Sequence, residues 1–213
     1  MFVVIGEALV DLVGQRGSRT LVAHPGGSPA NVALGLGRLG NPVTLVTHLG
    51  RDAFGEMIST HLQASGVRVE GGADVGGPTS LAVATLAAGI ATYDFRIEWD
   101  IGNLEPLSVE TRCVHTGSLA TALEPGRTDV QNLLEHEHQR GRVTISYDPN
   151  VRPALLGSPE EARPGIEHLV GLSDVVKVSD EDLQWLYPDG EDEDVAREWL
   201  SRGPAVVIVT RGG

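Results

Sequence analysis

Residues 26–31 of the chain are Gly-Gly-Ser-Pro-Ala-Asn, and this stretch decides how the rest of the sequence is interpreted. Two consecutive glycines let the backbone approach a ligand closely, and a helix is predicted to follow over residues 29–39. Ser28 is the predicted N-cap, Pro29 stands at the first helical position, and Gly40 ends the helix. The free N–H groups of a helix N-terminus can bind a ligand, although the stretch alone is equally typical of a tight turn with a helix cap.

Short β-rich runs alternate with helical patterns along most of the chain. The β-rich runs are nearly continuous in apolar residues, as expected for strands that are buried on both faces of a parallel sheet. This order predicts an α/β fold: a doubly wound, mostly parallel sheet with helices on both faces. The predicted strands are 2–6, 43–49, 112–116, 143–148, 174–178 and 205–210, and the predicted helices are 29–39, 53–64, 126–140, 159–170, 180–187 and 192–202.

Two segments break this alternation. Residues 80–88 and 91–98 are strand-like runs joined near Gly89, which predicts a hairpin in place of a βα unit. Residues 9–24 leave the first strand and return before the glycine turn, so the two segments together predict a small β-sheet lid. The predicted organisation is one α/β domain over 1–213 with lid segments at 12–24 and 79–101.

The charge of the chain limits its partners. With 29 acidic and 16 basic residues the formal net charge is -13, which argues against nucleic acid or an anionic membrane as a partner. No apolar run approaches the roughly 20 residues of a transmembrane helix, and residues 1–6 lack the basic start of a signal peptide. Cys113 is the single cysteine, so no intrachain disulfide can form. These features predict a cytoplasmic protein.

A second glycine-containing loop, Gly-Arg-Asp-Ala-Phe-Gly at 50–55, follows the predicted strand 43–49. A loop after a parallel strand lies at the edge of the sheet where α/β proteins bind ligands. An Asp at position 52 is nevertheless more typical of an N-cap for the next helix than of a ligand-binding residue. Neither glycine-rich loop has the context of a dinucleotide-binding or Walker motif.

Short motifs follow one another in a fixed order along essentially the whole chain. They are Gly6-Glu7-x-Leu9-x-Asp11, Gly26-Gly27-x-x-x-Asn31-x-Ala33, Gly50-x-Asp52-x-Phe54-Gly55, and the stretches at 78–82, 93–95, 148–153, 177–181 and 210–212. Their content and order resemble those of the ribokinase-like (PfkB) carbohydrate kinases, and most closely the bacterial fructokinase-like branch.

The resemblance implies an ATP-dependent kinase that phosphorylates a primary hydroxyl group of a small ketose. It implies that Asp11, Gly26, Gly27 and Asn31 hold the sugar hydroxyls, and that Phe95 packs on the apolar face of the sugar under the lid. Lid closure would exclude water and so limit wasteful hydrolysis of ATP. The small sugar and ATP are the expected partners, and a homodimer formed through the lid is left open.

One departure from the fructokinase-like pattern concerns the sugar. After Phe95 the sequence continues as Arg-Ile-Glu-Trp-Asp at 96–100, where that branch usually has an aromatic residue and a Gly-Thr-Ala-Asp stretch. Arg96 would suit an acidic sugar, as in the related 2-keto-3-deoxygluconate kinases. A sugar-acid kinase therefore remains an alternative.

The resemblance also implies a phosphate-binding set with ATP and Mg²⁺, and a monovalent cation as a further option. Ser179 and Asp182 occupy the positions of an Asn-x-x-Glu motif that organises Mg²⁺ and phosphate, and Asp182 is one methylene shorter than the usual Glu. We expect Asp182 to contact the metal through water. The remaining residues expected near nucleotide or phosphate are Lys177, Thr210, Gly212 and Arg152. Two roles are open for Arg152: it supports the transition state, or it forms a surface ion pair.

A second departure concerns the catalytic base. The family's second signature, Asp-Thr-x-Gly-Ala-Gly-Asp, is expected some tens of residues after Thr210, and it does not occur within the 213 residues. The base and the anion hole are therefore expected beyond Gly213, and these 213 residues alone are expected to be inactive. A truncated, non-catalytic sugar-binding protein is the alternative from a different class.

Overall fold

A computed structural model describes residues 1–71, 76–87, 90–102, 104–117 and 119–212, with the backbone alone at positions 87 and 90–92. The predicted turn near Gly89 and the final Gly213 lie outside the described residues. The chain divides into two compact units: Met1–Ile5 with Asn103–Gly213 form the first, and Gly6–Gly102 form the second. The assignment of one domain with inserted lid segments stays a prediction.

Within the described residues the chain forms eleven strands and seven α-helices. No described helix is long and apolar enough to cross a membrane. The strands are β1 Phe2–Ile5, β2 Leu9–Gln15, β3 Val22–Gly26, β4 Val43–Val46, β5 Val67–Glu70, β6 Ser80–Ala87, β7 Ile90–Arg96, β8 Cys113–Gly117, β9 Thr144–Asp148, β10 Val175–Ser179 and β11 Val206–Thr210. The helices are α1 Ser28–Arg38, α2 Ala53–Gln63, α3 Gly126–Arg140, α4 Pro153–Leu156, α5 Pro159–Leu172, α6 Asp180–Leu186 and α7 Asp192–Arg202.

Five strands of the first unit form a parallel sheet in the order β11-β10-β9-β8-β1. Helices α5, α6 and α7 pack against β9, β10 and β11. The carboxyl ends of these strands meet at one edge of the sheet, where α/β proteins bind ligands. The buried residues of the three helices are Ile166, Leu169, Val170, Asp182, Leu183, Leu186, Val195 and Trp199.

The second unit contains the parallel pair β4 and β5 and a four-stranded sheet in the order β3-β2-β6-β7. Helix α1 packs on β4 and helix α2 on β5. In the four-stranded sheet β2 and β6 run parallel, whereas the outer pairs are antiparallel. The mostly parallel strands, the helices and this separate small sheet confirm the predicted fold class.

The two predicted helix starts have different outcomes. The prediction of Ser28 as an N-cap is wrong, because helix α1 already includes Ser28 and its N-cap is Gly27. The carbonyl oxygen of Gly27 accepts the first helical hydrogen bond, from the Asn31 N–H at 2.9 Å. Asp52 does cap helix α2, and its side chain accepts hydrogen bonds from the N–H groups of Phe54 and Gly55.

The sequence pattern missed a short strand, a short α-helix and the 3-10 helix Leu119–Thr121, and it misplaced the end of another strand. Strand β5 is only four residues long with two charged side chains, and helix α4 is a single turn. Strand β3 runs through Pro25 to Gly26, so part of the predicted turn belongs to a strand. An edge strand tolerates proline because the missing N–H faces away from the sheet.

Candidate active site

A row of paired residues crosses the four-stranded sheet of the second unit. Asp11 on β2 pairs with His24 on β3 and with Ala82 on β6, and Ala82 pairs in turn with Phe95 on β7. Residues that pair across neighbouring strands face the same side of a sheet. Asp11 and Phe95 therefore share one face, two strands and roughly 10 Å apart.

The aromatic part of this face is larger than Phe95 alone. The rings of Tyr93 and Phe95 stack with centroids 5.8 Å apart and an interplanar angle of 13°. Tyr93 lies two residues before Phe95 on the same strand, and it is 57% exposed. A carboxylate beside an exposed aromatic surface suits a ligand that carries hydroxyl groups on one side and C–H groups on another.

Arg96 does not join this group. It follows Phe95 directly on β7 and pairs with Leu81 on β6, which in turn pairs with Val10 on β2. Successive residues of a strand point to opposite faces, so the exposed Arg96 lies on the other side of the sheet from Asp11. Its role toward an acidic sugar stays a prediction.

The glycine turn lies beside Asp11 and has no room for side chains. A Cβ atom on Gly26 would collide with the Asp11 carboxylate. Gly27 has a φ of 102°, and a Cβ there would lie 2.5 Å from the carbonyl oxygen of Glu7. Only glycine adopts this backbone without strain. The turn thus brings Asp11, Gly26, Gly27 and the first turn of α1, where Asn31 is exposed, into one neighbourhood.

The Asp52 side chain forms hydrogen bonds both with the start of helix α2 and with Thr79, which directly precedes strand β6. Besides capping the helix, its carboxylate accepts hydrogen bonds from the Thr79 hydroxyl at 2.7 Å and the Thr79 N–H at 2.8 Å. Burial raises the pKa of Asp52, but the hydrogen bonds from Thr79, Gly55 and Phe54 outweigh that effect and hold the pKa below its usual value. The sequence indicated the cap, whereas the contact with Thr79 depends on the fold.

In the first unit, Ser179 and Asp182 organise the end of strand β10. Ser179 caps helix α6, and its Oγ accepts a hydrogen bond from the Asp182 N–H at 3.0 Å. The side chain of Asp182 is buried, and its Oδ1 accepts the Val151 N–H at 3.0 Å. The two motif residues therefore also hold the segment that follows strand β9.

Asp148 is a further candidate site residue, one to which the sequence motifs gave no role. It is the last residue of β9, and its Oδ2 lies 3.2 Å from Nζ of Lys177 on β10. Burial raises the pKa of Asp148, the neighbouring Lys177 opposes that rise, and the charge of Asp182 adds to it. A carboxylate at the end of a predicted parallel strand was the available indication in the sequence.

Arg152 lies in the segment that Asp182 and Asp148 hold. Asn150 has a φ of 37°, and its N–H donates to Oδ1 of Asp148 at 3.2 Å. Nη1 of Arg152 donates to the carbonyl oxygen of Val151 at 2.9 Å, so the guanidinium is turned toward its own backbone. The structure thus brings Arg152 near Asp182 and Asp148 by way of the segment between them.

Thr210 and Lys177 complete this group at the carboxyl ends of β10 and β11. Thr210 pairs with Ser179, and its Oγ1 donates to the carbonyl oxygen of Val178 at 3.4 Å. Gly212 follows two residues later, and a Cβ atom there would meet nothing within 4 Å. Lys177, Ser179 and Thr210 therefore lie toward the carboxyl ends of the adjacent parallel strands β10 and β11, and Gly212 follows β11.

The residues at the ends of β9 and β10 would hold a divalent cation through water and phosphate. Among residues 1–71, 76–87, 90–102, 104–117 and 119–212, no three His, Cys, Asp or Glu side chains converge on one metal position. Asp148 and Asp182 do lie close enough for the charge of one to raise the pKa of the other. Mg²⁺ commonly keeps several waters and uses only one or two carboxylates, so these residues fit an ion held through water and phosphate.

Comparisons with known proteins cover the entire chain. The family model described as pfkB family carbohydrate kinase matches residues 1–213. A fructokinase of Rhizobium leguminosarum bv. trifolii is 33% identical over 221 residues, which include 100% of this chain and 67% of that protein.

Two solved structures extend the comparison to ligands. A fructokinase double mutant from Vibrio cholerae O395, bound to fructose, ADP and potassium ion, matches with a TM-score of 0.81 and 26% identity over 98% of this chain and 69% of that one. A sugar kinase from Pyrococcus horikoshii in complex with ATP matches with a TM-score of 0.75 and 28% identity over 89% of this chain and 67% of that one.

Proposed function

The chain belongs to the pfkB family of carbohydrate kinases, and from this premise we propose that the protein transfers the γ-phosphoryl group of ATP to a primary hydroxyl group of a small ketose, with fructose as the first candidate. The choice of a sugar as the ligand rests on the paired residues Asp11, Ala82 and Phe95, which share one face of the small sheet beside the Gly26–Gly27 turn. Fructose-bound and ATP-bound relatives support the same pair of substrates.

The second unit supplies the sugar-binding residues in this proposal. The Asp11 carboxylate accepts hydrogen bonds from sugar hydroxyls, and the Asn31 amide both donates and accepts them. The Phe95 ring packs on the C–H face of the sugar, and the small sheet acts as a lid that excludes water. Because Gly26 and Gly27 have no side chains, the sugar can approach the backbone of the turn.

The first unit supplies the residues that handle the phosphates. Lys177 and Arg152 offset negative charge, and the N–H groups near Thr210 and Gly212 contact phosphate oxygens. Asp182, with Asp148 beside it, would hold Mg²⁺ through water, and the ion when bound neutralises charge on the phosphates. Asp148 positions Lys177 through their 3.2 Å contact.

The transfer joins the primary oxygen of the sugar to the γ-phosphorus while the bond from that phosphorus to the bridging oxygen of ADP breaks. The hydroxyl proton passes to a base, which we propose lies in sequence beyond Gly213, as the family's second signature implies. The products are a sugar phosphate and ADP.

The test is an ADP-coupled assay of the complete gene product with fructose, ribose, 2-keto-3-deoxygluconate and a nucleoside as acceptors. We expect fructose to give the highest kcat/KM, whereas a preference for 2-keto-3-deoxygluconate would favour the sugar-acid alternative that Arg96 suggests. Fructose binding without turnover, in protein shown to be folded, would favour a non-catalytic sugar-binding protein. Absence of both turnover and sugar binding would refute the proposal.

A further inference from the structure

One short loop of the second unit holds three of the segments that connect to the small sheet. It comprises residues 47–52, here called the 47–52 loop, which follow strand β4 and end at Asp52, the N-cap of helix α2. The three segments precede β2, precede β6 and follow β7. Each contains a residue that is hydrogen-bonded to the loop, and these residues are Ala8, Thr79 and Asp100.

The most extensive of these contacts is with Thr79, the residue before β6. Its hydroxyl accepts a hydrogen bond from the Gly50 N–H at 3.0 Å and donates one to Oδ1 of Asp52 at 2.7 Å. The Thr79 N–H donates to Oδ2 of Asp52 at 2.8 Å. Thr79 is buried, and a Cβ atom on Gly50 would lie 2.5 Å from the Thr79 nitrogen. The loop and the start of β6 are therefore in close contact.

The two oxygens of the Asp52 carboxylate have different partners. Oδ1 caps helix α2 by accepting the N–H groups of Phe54 and Gly55, and it also accepts the Thr79 hydroxyl. Oδ2 accepts the Thr79 N–H. An amide in place of the carboxylate has only one acceptor oxygen, and its NH₂ group can only donate. The cap and the contact with the Thr79 N–H can therefore be separated by a single substitution.

The segment that follows β7 is held by His48 of the same loop. Nδ1 of His48 lies 2.9 Å from the carbonyl oxygen of Asp100, and because a carbonyl oxygen only accepts, Nδ1 is the donor. His48 is buried, and so are Trp99 and Ile101 on either side of Asp100. The antiparallel β6–β7 pair is thus attached to the 47–52 loop both before β6 and after β7.

Further hydrogen bonds connect these attachment points. Oγ of Ser80, the first residue of β6, accepts the Glu98 N–H at 3.0 Å and donates to the Glu98 carbonyl oxygen at 3.1 Å. The Ala8 N–H, just before β2, donates to Oγ1 of Thr47 at 3.0 Å. Since Leu9 pairs with Ser80, strands β2 and β6 begin side by side at the loop.

The attachment points lie close in sequence to the proposed sugar-binding residues. Ala82, three residues after Thr79, pairs with both Asp11 and Phe95. Phe95 is also five residues before Asp100. Because a strand rises about 3.3 Å per residue, Ala82 lies roughly 10 Å from Thr79 along β6. A change in how β6 and β7 are attached would therefore displace the Phe95 ring relative to Asp11.

We propose that Asp52, Thr79 and His48 are positioning residues for sugar binding: by attaching the β6–β7 pair to the 47–52 loop, they set where Phe95 lies relative to Asp11. The three act through the β6–β7 pair and not by contact with the sugar. The effect on sugar binding rests on the proposed kinase function, whereas the attachment itself does not.

Asp52→Asn tests the attachment separately from the cap, because asparagine still caps α2 through its oxygen while its NH₂ group faces the Thr79 N–H. We expect the amides of β6 and β7 to exchange with deuterium about 3- to 10-fold faster, whereas those of α2 stay within about twofold. Mass spectrometry of the complete gene product measures both. Unchanged exchange in β6 and β7, or equal acceleration in α2, would overturn the attachment.

Position 79 provides a matched series. Thr79→Val removes the hydroxyl and should accelerate exchange in β6 and β7 to a similar extent, whereas Thr79→Ser keeps the hydroxyl and should stay within about twofold of the wild type. Thr60→Val makes the same change at an exposed position of α2 and should leave exchange in β6 and β7 unchanged. If the serine variant exchanges as fast as the valine variant, packing of the methyl group and not hydrogen bonding holds the segment, and the proposal is wrong.

His48 is tested in the same way. His48→Leu removes the donor to Asp100, whereas His48→Asn supplies an N–H group close to the position of Nδ1. Exchange in β7 should be faster in the leucine variant than in the asparagine variant, and circular dichroism confirms that both are folded. Equal exchange in the two variants would remove His48 from the set of positioning residues.

The effect on sugar binding has its own readout. In the ADP-coupled assay, Asp52→Asn and Thr79→Val should raise KM for fructose about 3- to 10-fold and leave KM for ATP within about twofold, with Thr79→Ser close to the wild type. A merely structural role would lower the active fraction, and so the apparent kcat, without this selective change in KM. Faster exchange in β6 and β7 with an unchanged KM for fructose would overturn the positioning role. Because the exchange measurement needs no turnover, failure of the kinase proposal is distinguishable from failure of the attachment.

Discussion

The proposed sugar-binding group of the second unit is formed around two glycines that have no room for side chains, whereas the proposed phosphate-binding group of the first unit is formed by side chains that contact one another. Gly26 and Gly27 have no room for a Cβ atom, while Gly212 in the first unit has open space around it. Asp148, Lys177 and Asp182 instead form a connected set of buried or half-buried charges. The difference predicts that the two groups fail in different ways: the first by steric conflict and the second by loss of charge and hydrogen bonds.

The largest effect is expected from Gly27→Ala. The positive φ and the 2.5 Å approach to the Glu7 carbonyl oxygen together should lower the free energy of unfolding by about 3 kcal/mol and abolish sugar binding. Urea denaturation and a fructose titration measure the two quantities.

Gly212→Ala is the matched control for this substitution. A Cβ at Gly212 would meet nothing within 4 Å, so its free energy of unfolding should change by less than about 0.5 kcal/mol. Equal destabilisation by both alanines would show that the contrast between the glycines is wrong.

A smaller effect, confined to acid, is expected from a histidine in the first unit. Burial, and secondarily the charge of Lys177, lowers the pKa of His115 from 6.5 to about 4. Since the unfolded chain binds this proton more readily, the stability due to neutral His115 is complete above pH 6.5 and is lost as the pH falls toward 4. The wild type should therefore lose about 2 kcal/mol more than His115→Gln between pH 7 and 4.5.

Urea denaturation at the two pH values measures this difference. His136→Gln changes an exposed histidine on α3 and should follow the wild type. If His115→Gln loses as much stability in acid as the wild type does, the acid sensitivity arises elsewhere.

The smallest effect is expected on the aromatic face of the small sheet. Phe95→Ala removes a ring that stacks on Tyr93 and lies on the Asp11 face, so KM for fructose should rise about tenfold with little change in kcat. Asp94→Asn alters the preceding residue, whose side chain points to the other face, and should leave KM within about twofold. Steady-state kinetics at saturating ATP test both, and a larger effect at Asp94 would mean that the strand register is misassigned.

The parallel sheet was predictable because most of its strands are continuous apolar runs. The Asp52 cap was predictable because capping depends on residues that are close in sequence. Strand β5 was missed since Val-Arg-Val-Glu is short and half charged. The cap of α1 was misplaced by one residue because the φ of Gly27, rather than the hydroxyl of Ser28, sets where the helix begins.

The sequence motifs proposed candidate site residues but did not give their arrangement. The motifs named Asp11, Phe95 and Lys177, yet the row from Asp11 to Phe95 depends on a parallel register between β2 and β6. The contact between Asp148 and Lys177 joins residues 29 apart in sequence on the adjacent strands β9 and β10. Such pairings are set by how distant strands align, and no local pattern encodes them.

The proposed assignment of sugar binding to the second unit and phosphate binding to the first is tested most directly by two-substrate kinetics of Asn31→Ala and Thr210→Val in the complete gene product. Both residues are exposed, and the one hydrogen bond described for the Thr210 hydroxyl, to the Val178 carbonyl oxygen, is long at 3.4 Å, so neither change should disturb folding. We predict that Asn31→Ala raises KM for fructose about tenfold and leaves KM for ATP within about twofold, whereas Thr210→Val raises KM for ATP alone. If both variants raise the KM for the same substrate, or if each raises the other's, the assignment of sugar binding to the second unit and phosphate binding to the first is contradicted.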